Sequence, residues 1–273
     1  MTPVYAAREN MVNKKAILDT ELKYASEFSS SVEDKQLIRF KNPALPDMYY
    51  HNFTFVLPIN SIEQLLRIIS DELSNSISLH AEFLTVILYQ RISQDLLAKL
   101  PIQPDVSYSG YYAFDTSKFC GFPASGKGVV SKVDSISSVR DVAAVKIEQY
   151  GADGKEAFWS RVTEEKGRIY LSNSTLNSYV CYSDQGKPIG CCDLYINGTI
   201  AKIEDFDVIT SEQRKGYGTT ILNTLISDAL AQGVKTIYLI TDQDDTVKKM
   251  YQKLKFFEFH EQTDLFWNFK SSV

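Results

Sequence analysis

Gln213-Arg-Lys-Gly-Tyr-Gly-Thr219 is the stretch on which the reading of this chain turns. A strand-like run, Ala201 to Ile209 (AKIEDFDVI), precedes it. From Thr219 the apolar residues Ile221, Leu222, Leu225, Ile226, Ala229 and Leu230 recur at helical spacing. A strand, a basic glycine turn and a helix in that order put the orphan N–H groups of a helix's first turn, and the positive end of its dipole, beside Gly216 and Gly218. Glycines let a ligand approach the backbone, so the arrangement suits a phosphate or pyrophosphate.

A dinucleotide-binding fingerprint needs a third small residue where Ile221 stands. The segment instead resembles the pyrophosphate loop of the GNAT acetyltransferases, Gln/Arg-x-x-Gly-x-Gly/Ala after a strand ending in valine. Val208, Gln213, Gly216 and Gly218 hold those positions. Further on, Tyr251-Gln-Lys-Leu-Lys-Phe256 resembles the family's second signature, Tyr-x-Lys-x-Gly-Phe, with Asp244 where an asparagine often stands and Lys255 in place of the glycine.

The resemblance implies a mixed, mostly antiparallel sheet flanked by helices, an α/β (α+β) fold, over residues 126–273. It implies acetyl-CoA as acyl donor, held by Phe206, Val208, Gln213, Arg214, Lys215, Gly216, Tyr217, Gly218, Thr219 and Asp244, with no metal. The reaction is direct attack of an amine on the thioester. Tyr251 is then the proton donor to the leaving thiolate, and the N–H of Val208 faces the developing oxyanion.

An amine attacks only when neutral, and deprotonating one with a pKa near 10 at neutral pH costs roughly 4 kcal/mol, so a base is useful. Glu204 and Asp205 are the candidates. In the histone-acetylating members the base is a glutamate whose position falls on Lys202, which cannot take that role. Either acid replaces it, or water deprotonates the amine, or the domain binds CoA without transferring acetyl, as a sensor or interaction module. The acidic trio Glu204, Asp205 and Asp207 favours a cationic acceptor, a small-molecule amine or a protein amine.

The strand carries its own clue. Ile203, Phe206 and Val208 are spaced by three and then two, which strict alternation cannot place on one face. One extra residue near Glu204 and Asp205, a β-bulge, restores the alternation. In the family this bulged strand diverges from the next, here Thr236 to Thr241, and pantetheine lies in the gap.

The whole chain, 273 residues at 44% hydrophobic with a net charge of −5, allows a sizeable core and two domains and argues against nucleic acid as the main partner. No secretion signal or membrane-length apolar run is legible, so a cytoplasmic location away from membranes is expected. Cys120, Cys181, Cys191 and Cys192 lack ligand spacing and read as reduced packing residues, and the isolated His51, His80 and His260 read as structural or surface side chains.

The glycine-rich stretch Gly121 to Gly128 separates an N-terminal α/β domain, 1–125, from 126–273. Its Gly121-Phe-Pro-Ala-Ser-Gly-Lys127 mimics a nucleotide-binding loop but ends in Gly128 and is followed by strand-like Val129, Val130 and Val133, so it reads as a decoy. In the N-terminal domain a strand is expected from His51 to Leu57 as the first element, a helix after Ser61, helical pattern over Ala81 to Leu100, and a strand from Tyr108 to Phe114. That domain carries no recognised motif and no second phosphate loop, and a degenerate copy of the same fold is one reading of it. The aromatics Tyr108, Tyr111, Tyr112 and Phe114 either line an acceptor pocket or belong to the core. In the second domain helices are expected over Ser138 to Tyr150 and Lys155 to Lys166, strands near Ile169, Tyr179 to Tyr182 and Ile189 to Ile196, and a hairpin turn at Gly186.

Overall fold

The structure, a computed structural model, describes residues 12–123, 128–244 and 247–270. Helix α1 (Lys14–Phe28) leads into a hairpin of β1 (Ser30–Asp34) and β2 (Leu37–Lys41), then β3 (Phe53–Val56), α2 (Ile62–Ser78), β4 (Phe83–Leu88), the short α3 (Gln94–Leu97) and the long β5 (Asp105–Asp115). There follow β6 (Val129–Lys132), α4 (Ile136–Tyr150), α5 (Glu156–Ser172), β7 (Leu176–Tyr182), β8 (Pro188–Asn197) and β9 (Ile200–Val208). The chain continues with α6 (Tyr217–Ala231), β10 (Thr236–Asp242), α7 (Lys248–Lys253) and β11 (Phe257–Asn268).

These elements gather into two compact units that interleave along the sequence. The described residues of Met1–Tyr24, Ala113–Ile240 and Tyr251–Phe257 form the first, and those of Ala25–Tyr112, Thr241–Met250 and Glu258–Val273 the second. In the first unit the strands lie in the order β10-β9-β8-β7-β6, antiparallel throughout except for parallel β9 and β10. Helices α4 and α5 pack together closely enough that a Cβ on Gly167 would stand 2.5 Å from Val139 Cγ1, so any larger residue there would force the Val139 side chain to move. Helix α6 buries Ile221, Leu222, Leu225, Ile226 and Ala229, the apolar stripe read from its sequence.

In the second unit β1, β2 and β3 run antiparallel, β4 lies parallel to β3, and β11 pairs antiparallel with β4 from Thr263↔Leu88 to Asn268↔Phe83. Its core joins Leu65, Ile69 and Leu73 of α2 to Val86 and Leu88 of β4 and to Leu265 and Trp267 of β11. The connectivity repeats: β1-β2-β3-α2-β4 in the second unit follows the pattern of β7-β8-β9-α6-β10 in the first.

The mixed, mostly antiparallel class is as expected, with local corrections. His51 is not the first element, since α1 and the β1–β2 hairpin precede it, and His51 itself closes a single 3-10 turn before β3. Ala81 to Leu100 is helical only over Gln94–Leu97: its run Phe83-Leu-Thr-Val-Ile-Leu88 is a mostly buried strand, and a continuous apolar run cannot be told from a buried helix by period. Ile169 lies inside α5 rather than in a strand, where neighbouring Tyr170 is buried against the sheet. Helix α6 starts at Tyr217, within the glycine turn at which a helix is expected to begin. Gly186 turns the β7–β8 hairpin at φ 77. Tyr111, Tyr112 and Phe114 are core residues, while Cys120 is exposed and the other three cysteines are buried and free. Of the nucleotide-loop decoy, 124–127 lie outside the described residues.

Candidate active site

The bulge sits in β9. Cys191 pairs with Asp207 and Asp193 with Glu204, so two steps along β8 are answered by three along β9. The extra residue brings Asp205 into the left-handed region at φ 51, a conformation aspartate tolerates better than most side chains. The parallel ladder between β9 and β10 runs from Ile200↔Thr236 to Ile203↔Leu239. Glu204 to Val208 therefore lie beyond its end, and all five are half-buried.

Past the strand the chain is folded back on itself. Gln213 Nε2 donates to the Val208 carbonyl at 2.9 Å, Arg214 takes φ 59, and Gly216 takes φ 95. Helix α6 then opens at Tyr217 with no side-chain cap at Gly216, whose carbonyl accepts from the N–H groups of Thr219 and Thr220 at 3.1 Å. Gln213, Arg214 and Lys215 are exposed, with Lys215 3.1 Å from Glu212, while Tyr217 is buried. An uncapped helix start beside exposed cations fits a diphosphate. The corresponding helix of the second unit does not: Ser61 Oγ caps α2 by accepting from Gln64 N–H at 3.3 Å, and Glu63 adds a carboxylate to its first turn.

Tyr251, on α7, is 4% exposed, and its ring centroid lies 6.4 Å from that of Phe206 and 5.7 Å from that of Phe256. The fold thus brings Tyr251 to the stretch of β9 just past the bulge. Asp244 is exposed, belongs to the second unit, and its N–H donates to Asp242 Oδ1 at 2.7 Å.

Around the bulge is a chain of charges that the sequence reading missed in large part. Lys166 of α5 lies 3.0 Å from Asp193 Oδ2 and also bonds Asp205, and Tyr170 O–H donates to Asp193 at 2.7 Å. Lys146 of α4 lies 2.5 Å from Asp207 and 3.3 Å from Asp205, and Tyr150 O–H bonds Asp207 as well. Lys202 lies 2.7 Å from Glu204 and 2.8 Å from Glu21 of α1. Tyr238 O–H donates to Glu21 at 2.6 Å, and the Lys202 ammonium stands 4.3 Å from the centre of the Tyr24 ring. The signal was present in sequence: Lys146 and Lys166 fall on the buried faces of α4 and α5, where an unpaired ammonium would be costly.

These surroundings separate the two candidate bases. Burial would raise Asp205, but the ammonium groups of Lys146 and Lys166 outweigh it and hold the carboxyl well below the usual carboxylate range. Burial raises Glu204, against the pull of Lys202 and with the help of Asp205 and Glu21. Burial likewise raises Asp193, against Lys166. The thiols of Cys191 and Cys192 are pushed up by burial, so neither is a ready nucleophile. Among the described residues no group of three or more His, Cys, Asp or Glu side chains is placed to hold a metal ion, and no helix is long and apolar enough to cross a membrane.

Residues 145–256 match the family model described as Acetyltransferase (GNAT) family. The chain is 27% identical over 251 residues, 87% of its length and 92% of the relative's, to a Bacillus subtilis (strain 168) protein named as an uncharacterized N-acetyltransferase, CgeE. Among solved structures it resembles a GCN5-related N-acetyltransferase from Kribbella flavida, with a TM-score of 0.67 and 12% identity over 92% of this chain and 93% of that one. It also resembles a tandem GNAT protein from the clavulanic acid biosynthesis pathway, with a TM-score of 0.57 and 13% identity over 85% of this chain and 78% of that one. At such identities the structural likenesses show the fold, and the fold is that of the GNAT acetyltransferases.

Proposed function

We propose that this chain, whose residues 145–256 match the GNAT family, is an acetyl-CoA-dependent N-acetyltransferase acting on a cationic amine. The observation that carries the reading is the juxtaposition, within one unit, of an uncapped basic helix start with a bulged acidic strand whose ladder to β10 has ended. Arg214, Lys215 and the first-turn N–H groups of α6 would hold the diphosphate, with Gln213 keeping the loop closed through Val208. Phe206 and Val208 would flank the pantetheine.

In the reaction the neutral amine adds to the thioester carbonyl carbon, the C–S bond breaks, and the departing thiolate takes a proton to leave as CoA. Glu204 is the better base. Asp205 is committed to two ammonium groups, whereas Glu204 has one cation to share and a carboxyl raised by burial, which brings it nearer the working pH. Tyr251 would return the proton to sulfur, and the Val208 N–H would face the oxyanion. The carboxylates Glu21, Asp193, Glu204, Asp205 and Asp207 outnumber the ammonium groups of Lys146, Lys166 and Lys202, which favours a cationic acceptor.

The repeat of connectivity supports reading residues 1–125 as a degenerate second copy of the fold, with its phosphate site capped by Ser61 and closed to anions by Glu63. A cytoplasmic location belongs to the same reading, since acetyl-CoA is drawn from that pool.

Calorimetric titration with acetyl-CoA tests the donor site. Micromolar binding is expected for the wild type and loss of it for a folded Gly216→Glu, whose side chain would meet the diphosphate from a backbone position at φ 95. Release of free thiol with an amine panel tests transfer, and Tyr251→Phe is expected to slow it at least tenfold. A folded wild type that ignores acetyl-CoA would overturn the reading. Binding without any acceptor-dependent thiol release would leave a CoA-sensing module.

A further inference from the structure

The Lys202 ammonium is held by two carboxylates from different elements. Glu204 approaches from its own strand at 2.7 Å, and Glu21 from α1 at 2.8 Å. Lys202 is 4% exposed, and Glu21 is itself fixed from its other oxygen by the Tyr238 hydroxyl at 2.6 Å. Helix α1 lies outside the family-matched residues 145–256, so neither that match nor the loop motifs account for a glutamate there. The arrangement has a direct electrostatic consequence. An ammonium shared with a second carboxylate stabilises the Glu204 carboxylate less than one held alone, and the Glu21 charge disfavours ionisation of Glu204.

We propose that Glu21 is a positioning residue for acetyl transfer: by sharing Lys202 it keeps Glu204 basic enough to take the acceptor's proton. This rests on the reading of Glu204 as the general base. With Glu21 absent, Lys202 would belong wholly to Glu204 and hold it as an inert carboxylate, the condition in which Lys146 and Lys166 hold Asp205. Lys202 stands two residues before Glu204 on the same strand, and Glu21 is what makes that lysine compatible with a base there.

Several charges face Glu204, and all of them except Glu21 and Lys202 stay unchanged across the variants compared below. On its own strand Glu204 has Lys202 and Asp205, and from α1 it has Glu21 and the Tyr24 phenol. From β8 come Asp193, its ladder partner, and Cys192, whose Sγ is 3.5 Å from the Glu204 carbonyl. Lys166 and Lys146 act on it through Asp205, and Tyr238 of β10 through Glu21.

The test is a carbon NMR titration of the full chain with glutamate carboxyl carbons labelled, the Glu204 signal being assigned by its loss in Glu204→Gln. In Glu21→Gln, which keeps hydrogen-bonding groups for Lys202 and Tyr238, the Glu204 midpoint is expected to fall by about one pH unit. In Lys202→Met it is expected to rise. The acid limb of the kcat/KM profile is expected to follow the Glu204 midpoint in each variant, a correspondence that a merely structural role for Glu21 would not produce. A Glu204 midpoint unmoved in folded Glu21→Gln overturns the inference. So does a midpoint that moves while the acid limb stays. A wild type that transfers acetyl to no amine overturns the functional reading instead, and the inference about catalysis falls with it, while the titration separately shows whether Glu21 governs Glu204.

Discussion

Asp205 takes a left-handed backbone in the middle of a strand, and the charges that keep it there belong to helices that precede it in the chain. Lys166 stands between Asp193 and Asp205, with 7% of its side chain exposed against 2% for Asp193. Removing one partner from such a group leaves a buried charge uncompensated, which costs about 3–5 kcal/mol. Lys166→Met is therefore expected to lower unfolding stability by that order at pH 7, measured by urea denaturation. Asp193 and Asp205 can relieve the loss by taking up protons, so the deficit should shrink as the pH falls through the carboxylate range. A deficit that is the same at pH 7 and at strongly acid pH would show that packing, not charge, holds the bulge.

Sequence made part of this residue-scale picture legible. The spacing of Ile203, Phe206 and Val208 calls for one extra residue, and the β8–β9 register contains it. The partners of that residue were not legible, because a lysine at a buried helix position shows its need for a counter-charge but not which carboxylate meets it. The same limit applies to Glu21, 181 residues away from Lys202 along the chain.

At the scale of elements, period decided success. Helix α6 and the capped α2 have clean amphipathic spacing, and both formed where expected. Phe83 to Leu88 has no period, and burial in a strand flanked by β3 and β11 is what fixes it. Strand β11 shows the converse case: its mixture of charged and aromatic residues conceals an edge-to-edge partner for β4. Within β11, burial raises the Asp264 carboxyl to about 6, although Ser109 Oγ and Gln262 Nε2 donate to it at 2.7 and 2.6 Å.

A carboxyl whose folded pKa lies above its unfolded value of about 4 carries no penalty below pH 4, and its destabilisation grows between pH 4 and 6 and is constant above. Asp264→Asn removes that penalty but can accept with only one oxygen where the carboxylate uses two. The net expectation is a gain of about 1 kcal/mol at pH 7, vanishing or reversing at pH 4, after allowing for partial exposure and one lost hydrogen bond. Thermal unfolding at the two pH values measures it, and a gain independent of pH would contradict it.

For the whole molecule, chain order and spatial grouping differ. The sequence division at 125/126 follows a glycine-rich stretch, while the compact units interleave, with Glu258–Val273 grouped with Ala25–Tyr112. No local signal in a sequence reports such an exchange, because pairing between Asn268 and Phe83 is a tertiary fact. It has a testable consequence. A fragment ending at residue 125 would keep α2 and β4 but lose Leu265 and Trp267, which are 0% and 3% exposed in the same core, together with β4's antiparallel neighbour. Losing Trp267 alone is expected to cost about 3–5 kcal/mol by the measure of large core truncations, a large share of the 5–15 kcal/mol that domains possess. The fragment 1–125 is therefore expected to be unfolded or aggregated by circular dichroism and NMR dispersion, and to gain structure when a synthetic strand spanning 257–270 is added. A fragment that folds cooperatively without that strand would mean that the first 125 residues carry a complete core, and that β11 only covers an edge which β4 can leave open.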